Sequence, residues 1–292
     1  MTVTVAVIAM GEMGAGVARR LVERGAGVRT NLDGRSEASA ARAAEAGVEV
    51  VQDDAALVTG ADFILSIVPP ARAGTLAKRL LPAILKSGGR PLYADCNAVA
   101  PQTVLEIAAG FQAAGLPFAD AGILGGPPTP AGYNPRIYAS GETAGYLARL
   151  NNYGLDVKPF SKAVGDASAL KMAFAGCTKG STAIAISMML GAARAGVAET
   201  LWKEIEADRP GLLSGAVRQL PMVYKKAYRW DGEMEEIARF LKPETGGSKM
   251  FKGAADLYQA IAKDFAEGPD AERMALLEGY IERGKTSTGR PT

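Results

Sequence analysis

Apolar and polar positions along the first half of the chain alternate between two periods. "VTVAVIA" (residues 3–9) is an apolar run of strand length, and residues 12–25 follow with Met13, Val17, Leu21 and Val22 at helical spacing. "GVRTNL" (27–32) repeats the strand pattern, and "SEASAARAAEAG" repeats the helical one up to Gly47. "VEVV", "FILSIV" (63–68) and "PLYADC" (91–96) continue the series, with helices between them. Further strands are expected at "PFADAG" and "RIYASG", then a helix to Tyr153 and a last strand near "DVKPF". Short apolar strands alternating with helices predict an α/β fold, a Rossmann-type doubly wound parallel sheet. Beyond residue 165 the period is helical to about residue 285, which predicts an all-helical C-terminal domain. The boundary is placed near Val164, giving domains over 1–164 and 165–292, and "GKTSTGRPT" at the end reads as a disordered tail.

Composition changes this picture mainly by exclusion. Hydrophobic content of 48% with a net charge of +2 is ordinary for a globular chain. Basic residues are balanced by acids along most of the length, so no nucleic-acid groove is expected. The apolar runs are too short for a membrane span and the N-terminus lacks the basic region of a signal peptide, so a cytoplasmic protein is expected. Cys96 and Cys177 lie far apart and fit neither a disulfide framework nor a metal site, and Cys177 reads as a small buried residue. The chain contains no histidine. That removes Ser-His-Asp and Cys-His catalysis and histidine-ligated metals, and leaves Lys, Asp, Glu, Tyr or a thiol for proton transfer near neutral pH.

The first strand runs into "IAMGEMGAG". The dinucleotide fingerprint G-x-G-x-x-G is met there as Ala9, Gly11 and Gly14, with Glu12 and Met13 between the glycines, after a strand and opening a helix. Gly11 lets the backbone approach a pyrophosphate at the helix N-terminus, and Gly14 permits close helix–strand packing. The second strand ends in "NLDGRS", where Asp33 suits the ribose of NAD while Arg35 and Ser36 suit the 2'-phosphate of NADP. The balance of these residues favours NADP(H) over NAD(H).

"GDASALKMAFAGCTKG" (165–180) opens the helical half, and Lys171 sits among Ala167, Ser168, Phe174 and Ala175 at helical spacing. Its stem either lies along apolar surface with the charge reaching water, or the ammonium is a proton donor or acceptor tuned by partial burial. The lack of histidine favours the second reading. Lys179, two turns on, is read as facing a domain cleft or a partner subunit, and Tyr228, Arg229 and Trp230 as either one wall of a substrate pocket or ordinary interface packing. The wide apolar faces of "AIAISMMLGAA" and "LLSGAVRQLPMVY" point to a homodimer through the helical domain.

Over most of its length the chain resembles the β-hydroxyacid dehydrogenase superfamily, the group around 3-hydroxyisobutyrate dehydrogenase and 6-phosphogluconate dehydrogenase. "SIVPPARA" (66–73) resembles that family's cofactor-contacting loop, which implies cofactor contacts at Val68 and Pro69. "ADCNAVAPQT" (94–103) resembles its aspartate-x-serine-threonine block, with Asn97 and Ala98 in place of the serine and threonine. The same block implies that Asn97 also lies at the cofactor. "DAGILGGPP" (120–128) resembles its substrate motif, which implies substrate contacts near Asn97, Gly125 and Gly126, with Leu124 where the family has a serine. "GDASALKMAFAG" resembles the helix bearing the family's catalytic lysine, which falls on Lys171, and the family's substrate-contacting asparagine one turn later is here Ala175. "KKAYRWDGEMEEIA" resembles a branch with its own helical C-terminal domain. The resemblance implies an NAD(P)-dependent oxidoreductase moving a hydride to or from a hydroxyl or carbonyl of a small organic acid or related compound. The altered polar contacts keep an imine reductase of the same plan, or a catalytically silent nucleotide-binding protein, as alternatives.

Overall fold

The computed structural model describes residues 2–241, 245–267 and 270–288. The chain divides into two compact units, after Phe174. In the first unit the elements run β1 (Thr4–Ile8), α1 (Glu12–Glu23), β2 (Gly27–Asn31), α2 (Glu37–Glu45), β3 (Glu49–Val51), α3 (Asp54–Val58) and β4 (Phe63–Ser66). They continue with α4 (Pro70–Ser87), β5 (Leu92–Asp95), α5 (Pro101–Ala113), β6 (Phe118–Leu124) and β7 (Arg136–Ser140). After these come α6 (Ala144–Leu147), a 3-10 turn (Ala148–Tyr153), β8 (Val157–Ser161) and α7 (Asp166–Ala175), whose first nine residues belong to this unit. The strands form one eight-stranded sheet in the order β3-β2-β1-β4-β5-β6-β7-β8.

The apolar strand runs explain the sheet's two-sided burial. Val5, Val7, Phe63, Leu65, Ala94 and Ala121 face a layer that includes Val17 and Leu21 of α1, while Ala6, Ile8, Ile64, Tyr93 and Phe118 face one that includes Leu80, Ile84 and Phe111. Strand pairing is parallel except between β6 and β7, which run antiparallel with Asp120 opposite Ser140. This departs from the parallel sheet that the alternating pattern predicts. The connector from Gly125 to Pro135 contains no helix, so the chain turns back and pairs directly instead of crossing over. The order reverses at β1, which pairs with both β2 and β4. This is the switch point at which ligands bind across the carboxyl ends of parallel strands.

Every described element of the second unit is a helix, as the period predicts. A π-helical turn (Gly176–Gly180) leads into α8 (Ser181–Arg194), α9 (Ala198–Asp208), α10 (Leu212–Phe240), α11 (Thr245–Glu267) and α12 (Ala271–Thr288). α10 buries Leu213, Val217, Leu220, Val223, Ala227, Trp230, Met234 and Ile237, spaced three and four apart along one face. Gly176 and Gly180 admit the ring of Phe251, whose atoms would lie within 3.2 Å and 2.7 Å of a Cβ at those two positions. α12 extends to Thr288, so residues 284–288 are helical and not tail; the remainder of the expected tail, 289–292, lies outside the described residues. Among the described residues no helix is long and apolar enough to cross a membrane.

Candidate functional site

The loop after β1 carries the fingerprint. Gly11 is the N-cap of α1, where no side chain caps the helix, and a Cβ at Gly11 would meet nothing within 4 Å. The space beside Gly11 is therefore open at a helix N-terminus, the kind of position at which an anionic phosphate binds. Gly14 packs so tightly that a Cβ there would lie 3.0 Å from the Ala9 carbonyl carbon. Met13 packs on the apolar layer under α1, so its side chain serves the core, while Glu12 is exposed in the first turn. Arg42 of α2 donates from Nε to the Met10 carbonyl at 2.9 Å and so fastens this loop to the next helix.

On the β2–α2 loop, Asp33 and Arg35 lie at the surface. Partial desolvation of the Arg35 guanidinium lowers its pKa, and the positive charges of Arg79 and Arg72 on α4 push in the same direction. Arg79 is offset by Asp54 at 3.1 Å, and Asn31 donates to the same carboxylate at 3.3 Å. A cationic group around Arg35 is what a phosphate on the ribose requires. Ser36 caps α2, its Oγ accepting from the Ser39 amide at 3.3 Å. These features fit a nicotinamide dinucleotide.

At the ends of the central strands lies a polar row the sequence reading missed. Ser66, Asp95, Asp120 and Ser140 are register partners across β4, β5, β6 and β7, and each is at most 1% exposed. Asn97 ties the row together: its amide N–H donates to Asp95 Oδ1 at 3.1 Å, its Nδ2 to Ser66 Oγ at 2.8 Å, and its Oδ1 accepts from Val68 N at 2.7 Å. Asn97 thus fixes the segment before α4, where Val68 is buried and Pro69 is the N-cap. Burial, with a smaller push from the nearby Asp120, raises the Asp95 carboxyl to about 7 against the Asn97 hydrogen bonds. An aspartate inside each of the apolar runs "PLYADC" and "PFADAG" is the available signal.

Asp120 holds the start of α7. Its Oδ2 accepts from the amides of Gly165 (2.9 Å) and Ser168 (3.0 Å) and from Ser140 Oγ (3.1 Å), and its Oδ1 from Ser168 Oγ (2.8 Å). Ser140 Oγ in turn accepts from the Ala167 amide at 3.0 Å. Burial still pushes Asp120 above the usual carboxylate range against these donors. One turn further, Gly122 allows near-contact: a Cβ there would lie 2.8 Å from the Ala167 carbonyl oxygen and 3.1 Å from Lys171 Cβ. Lys171 is half-buried, and its Nζ donates to the Ile123 carbonyl at 2.9 Å. α7 is therefore fastened to β6 along the turns that present the lysine, within the first unit.

The other expected site residues lie from β6 onward. Leu124 is a buried strand residue paired with Arg136. Gly125 and Gly126 form the turn after it, where the Gly126 amide donates to the Tyr133 hydroxyl at 3.2 Å. Phe174 is 39% exposed. Ala175 begins the second unit and is buried there. In that unit Lys179 pairs with Glu233 and lies 5.0 Å over the Trp230 ring. Tyr228 is 66% exposed while Trp230 is buried edge-on to Tyr258, because residues two apart on a helix point different ways; no common wall forms. Cys177 is exposed, contrary to expectation, and Cys96 is buried. No group of potential metal ligands occurs among the described residues.

Comparison with known proteins places these features in context. Residues 4–149, half the chain, match the family described as the NAD binding domain of 6-phosphogluconate dehydrogenase. Residues 192–261 match a domain family of unknown function, DUF1932. A solved protein of unknown function, described as similar to 3-hydroxyacid dehydrogenases, is 28% identical with a TM-score of 0.66, covering 90% of this chain and 98% of that one. Mycobacterium tuberculosis 3-hydroxyisobutyrate dehydrogenase with L-serine shares the fold at 21% identity and a TM-score of 0.68, over 96% and 99% of the two chains. The imine reductase of Myxococcus stipitatus in complex with NADP+ does so at 18% and 0.55, over 95% and 100%.

Proposed function

The chain belongs to the β-hydroxyacid dehydrogenase-like superfamily and is an NAD(P)-dependent oxidoreductase; from that premise we propose that Lys171 exchanges the proton that accompanies hydride transfer. The nicotinamide supplies or receives the hydride. The protein has to hold the substrate, exclude water and move one proton at the reacting oxygen or nitrogen. The observation that carries the assignment is the seat of Lys171, with Nζ on the Ile123 carbonyl at 2.9 Å and the Gly125–Gly126 turn beginning two residues later. In a chain without histidine, this is the cation best fixed for the task. In the reducing direction Lys171 donates the proton, and in the oxidising direction it withdraws one.

The substrate is proposed to carry a carbonyl, imine or hydroxyl on a small skeleton. NADP(H) is favoured over NAD(H) by Arg35, with the positive charges of Arg79 and Arg72 acting on it, against the exposed Asp33 two residues earlier. The test is equilibrium binding of NADPH and NADH to the wild type and to Arg35→Ala. NADPH is expected to weaken about ten- to a hundredfold in the variant, as charge-assisted hydrogen bonds to phosphate are lost, while NADH changes little. Equal loss for both cofactors would refute the preference.

A homodimer through the helical unit is proposed from Ile184 and Met188, four residues apart on α8 and 54% and 58% exposed. Sedimentation of the whole chain checks it, and a monomer at micromolar concentration would refute it.

A further inference from the structure

The turn after β6 offers backbone amides, and the site reading above gives this turn to the substrate. Its Gly126 amide already has a partner inside the chain, the hydroxyl of Tyr133 at 3.2 Å. Two features of the chain maintain that contact. Gly125 has φ +124°, and a Cβ there would collide with the Tyr133 hydroxyl, so the glycine is what admits the ring's polar end. Tyr133 is itself held by Thr129, whose Oγ1 accepts from the Tyr133 amide at 3.3 Å and whose own amide donates to the Tyr133 carbonyl at 3.1 Å. The Gly132 amide closes the same loop onto the Thr129 carbonyl at 3.1 Å. Tyr133 is nonetheless 48% exposed, so a ligand at the turn meets its hydroxyl.

We propose that Tyr133 determines the substrate class, by filling the Gly126 amide that a substrate carboxylate would otherwise use. This rests on the reading that the Gly125–Gly126 turn receives substrate. A carboxylate brought to the turn has to displace the phenol, or give up several waters for the single neutral O–H that the phenol still offers. The phenol, accepting from Gly126, keeps its O–H as a donor to a neutral acceptor such as a carbonyl oxygen or an imine nitrogen. The residue before Gly125 is Leu124, which adds no polar group. The substrate is therefore uncharged at this end, a ketone or imine, in preference to a small hydroxy acid.

The experiment uses the NADPH- or NADP-saturated full chain, as wild type, Tyr133→Phe and Tyr133→Ala. One arm measures turnover of a cyclic imine and of 3-hydroxyisobutyrate; the other measures binding of L-serine, as a carboxylate probe, by calorimetry. The wild type is expected to reduce the imine and to bind L-serine at least tenfold more weakly than Tyr133→Phe. Both variants are expected to gain about tenfold or more in kcat/KM or affinity for the carboxylates, because the freed amide becomes available. Wild-type oxidation of 3-hydroxyisobutyrate with no gain in either variant would overturn the proposal, as would unchanged L-serine affinity in both folded variants. If no compound oxidises NADPH yet the variants gain L-serine binding, the oxidoreductase reading of this site falls and the assignment of Tyr133 stands.

Discussion

Replacing Asp95 by asparagine removes one ionisation from the buried polar row while keeping its shape. Burial, together with the Asp120 charge on the next strand, lifts the Asp95 carboxyl from 3.8 to about 7, so the folded chain holds a proton there that the unfolded chain gives up. A group whose folded pKa is raised contributes stability that is fully present below about pH 3.8 and is lost as pH rises through about 7. Between pH 5 and pH 9 that loss amounts to about 3 kcal/mol for a single site of this kind. The amide side chain of the Asp95→Asn variant would still present a carbonyl oxygen to the backbone N–H of Asn97, which donates to Asp95 at 3.1 Å in the native chain. The variant should therefore lack the swing. Urea unfolding at pH 5 and pH 9 measures it, followed by circular dichroism because Trp202 and Trp230 both lie in the second unit. Wild type should lose about 3 kcal/mol more than Asp95→Asn between the two pH values. An identical pH dependence in the two proteins would refute the reasoning, because Asp95 would then titrate like an exposed carboxylate.

Two further substitutions separate structure from chemistry. Gly122→Ala places a methyl 2.8 Å from a backbone oxygen that has no rotamer to escape into, so α7 has to move. A loss of about 1–3 kcal/mol is expected, with turnover down about a hundredfold as Lys171 shifts; full turnover in the folded variant would show that the close seat is unimportant. Lys179→Met deprives the mostly buried Glu233 of its ion-pair partner. About 2 kcal/mol is expected, less than for a fully desolvated pair, with Glu233→Gln in the same chain recovering most of it. Tryptophan fluorescence during unfolding reads this through Trp230, and a fall in turnover per folded molecule would contradict a purely structural Lys179.

The alternation of apolar strands and helices is legible because burial on both faces makes each strand a continuous apolar run. The reversed β7 is not, since periodicity carries no strand direction, although "GGPPTPAGYNP" between β6 and β7 lacks any helical pattern. Lys171 is legible from its small neighbours at helical spacing, and the fingerprint from Gly11 and Gly14 after a strand. The polar row is hidden for a different reason. Ser66, Asp95, Asp120 and Ser140 become neighbours only through register, and nothing local to each run reveals the pairing. Tyr133 and Arg72 escape notice likewise, because each acts on a segment reached through the fold and not through the sequence.

The central claim is that Lys171 moves the proton, and single-turnover oxidation of bound NADPH by an imine or ketone tests it most directly. Lys171→Met keeps the length and apolar stem of the side chain and removes the ammonium. The account predicts a rate lower by about a hundred- to ten-thousandfold with NADPH affinity unchanged. A folded Lys171→Met protein that oxidises NADPH at the wild-type rate would contradict it.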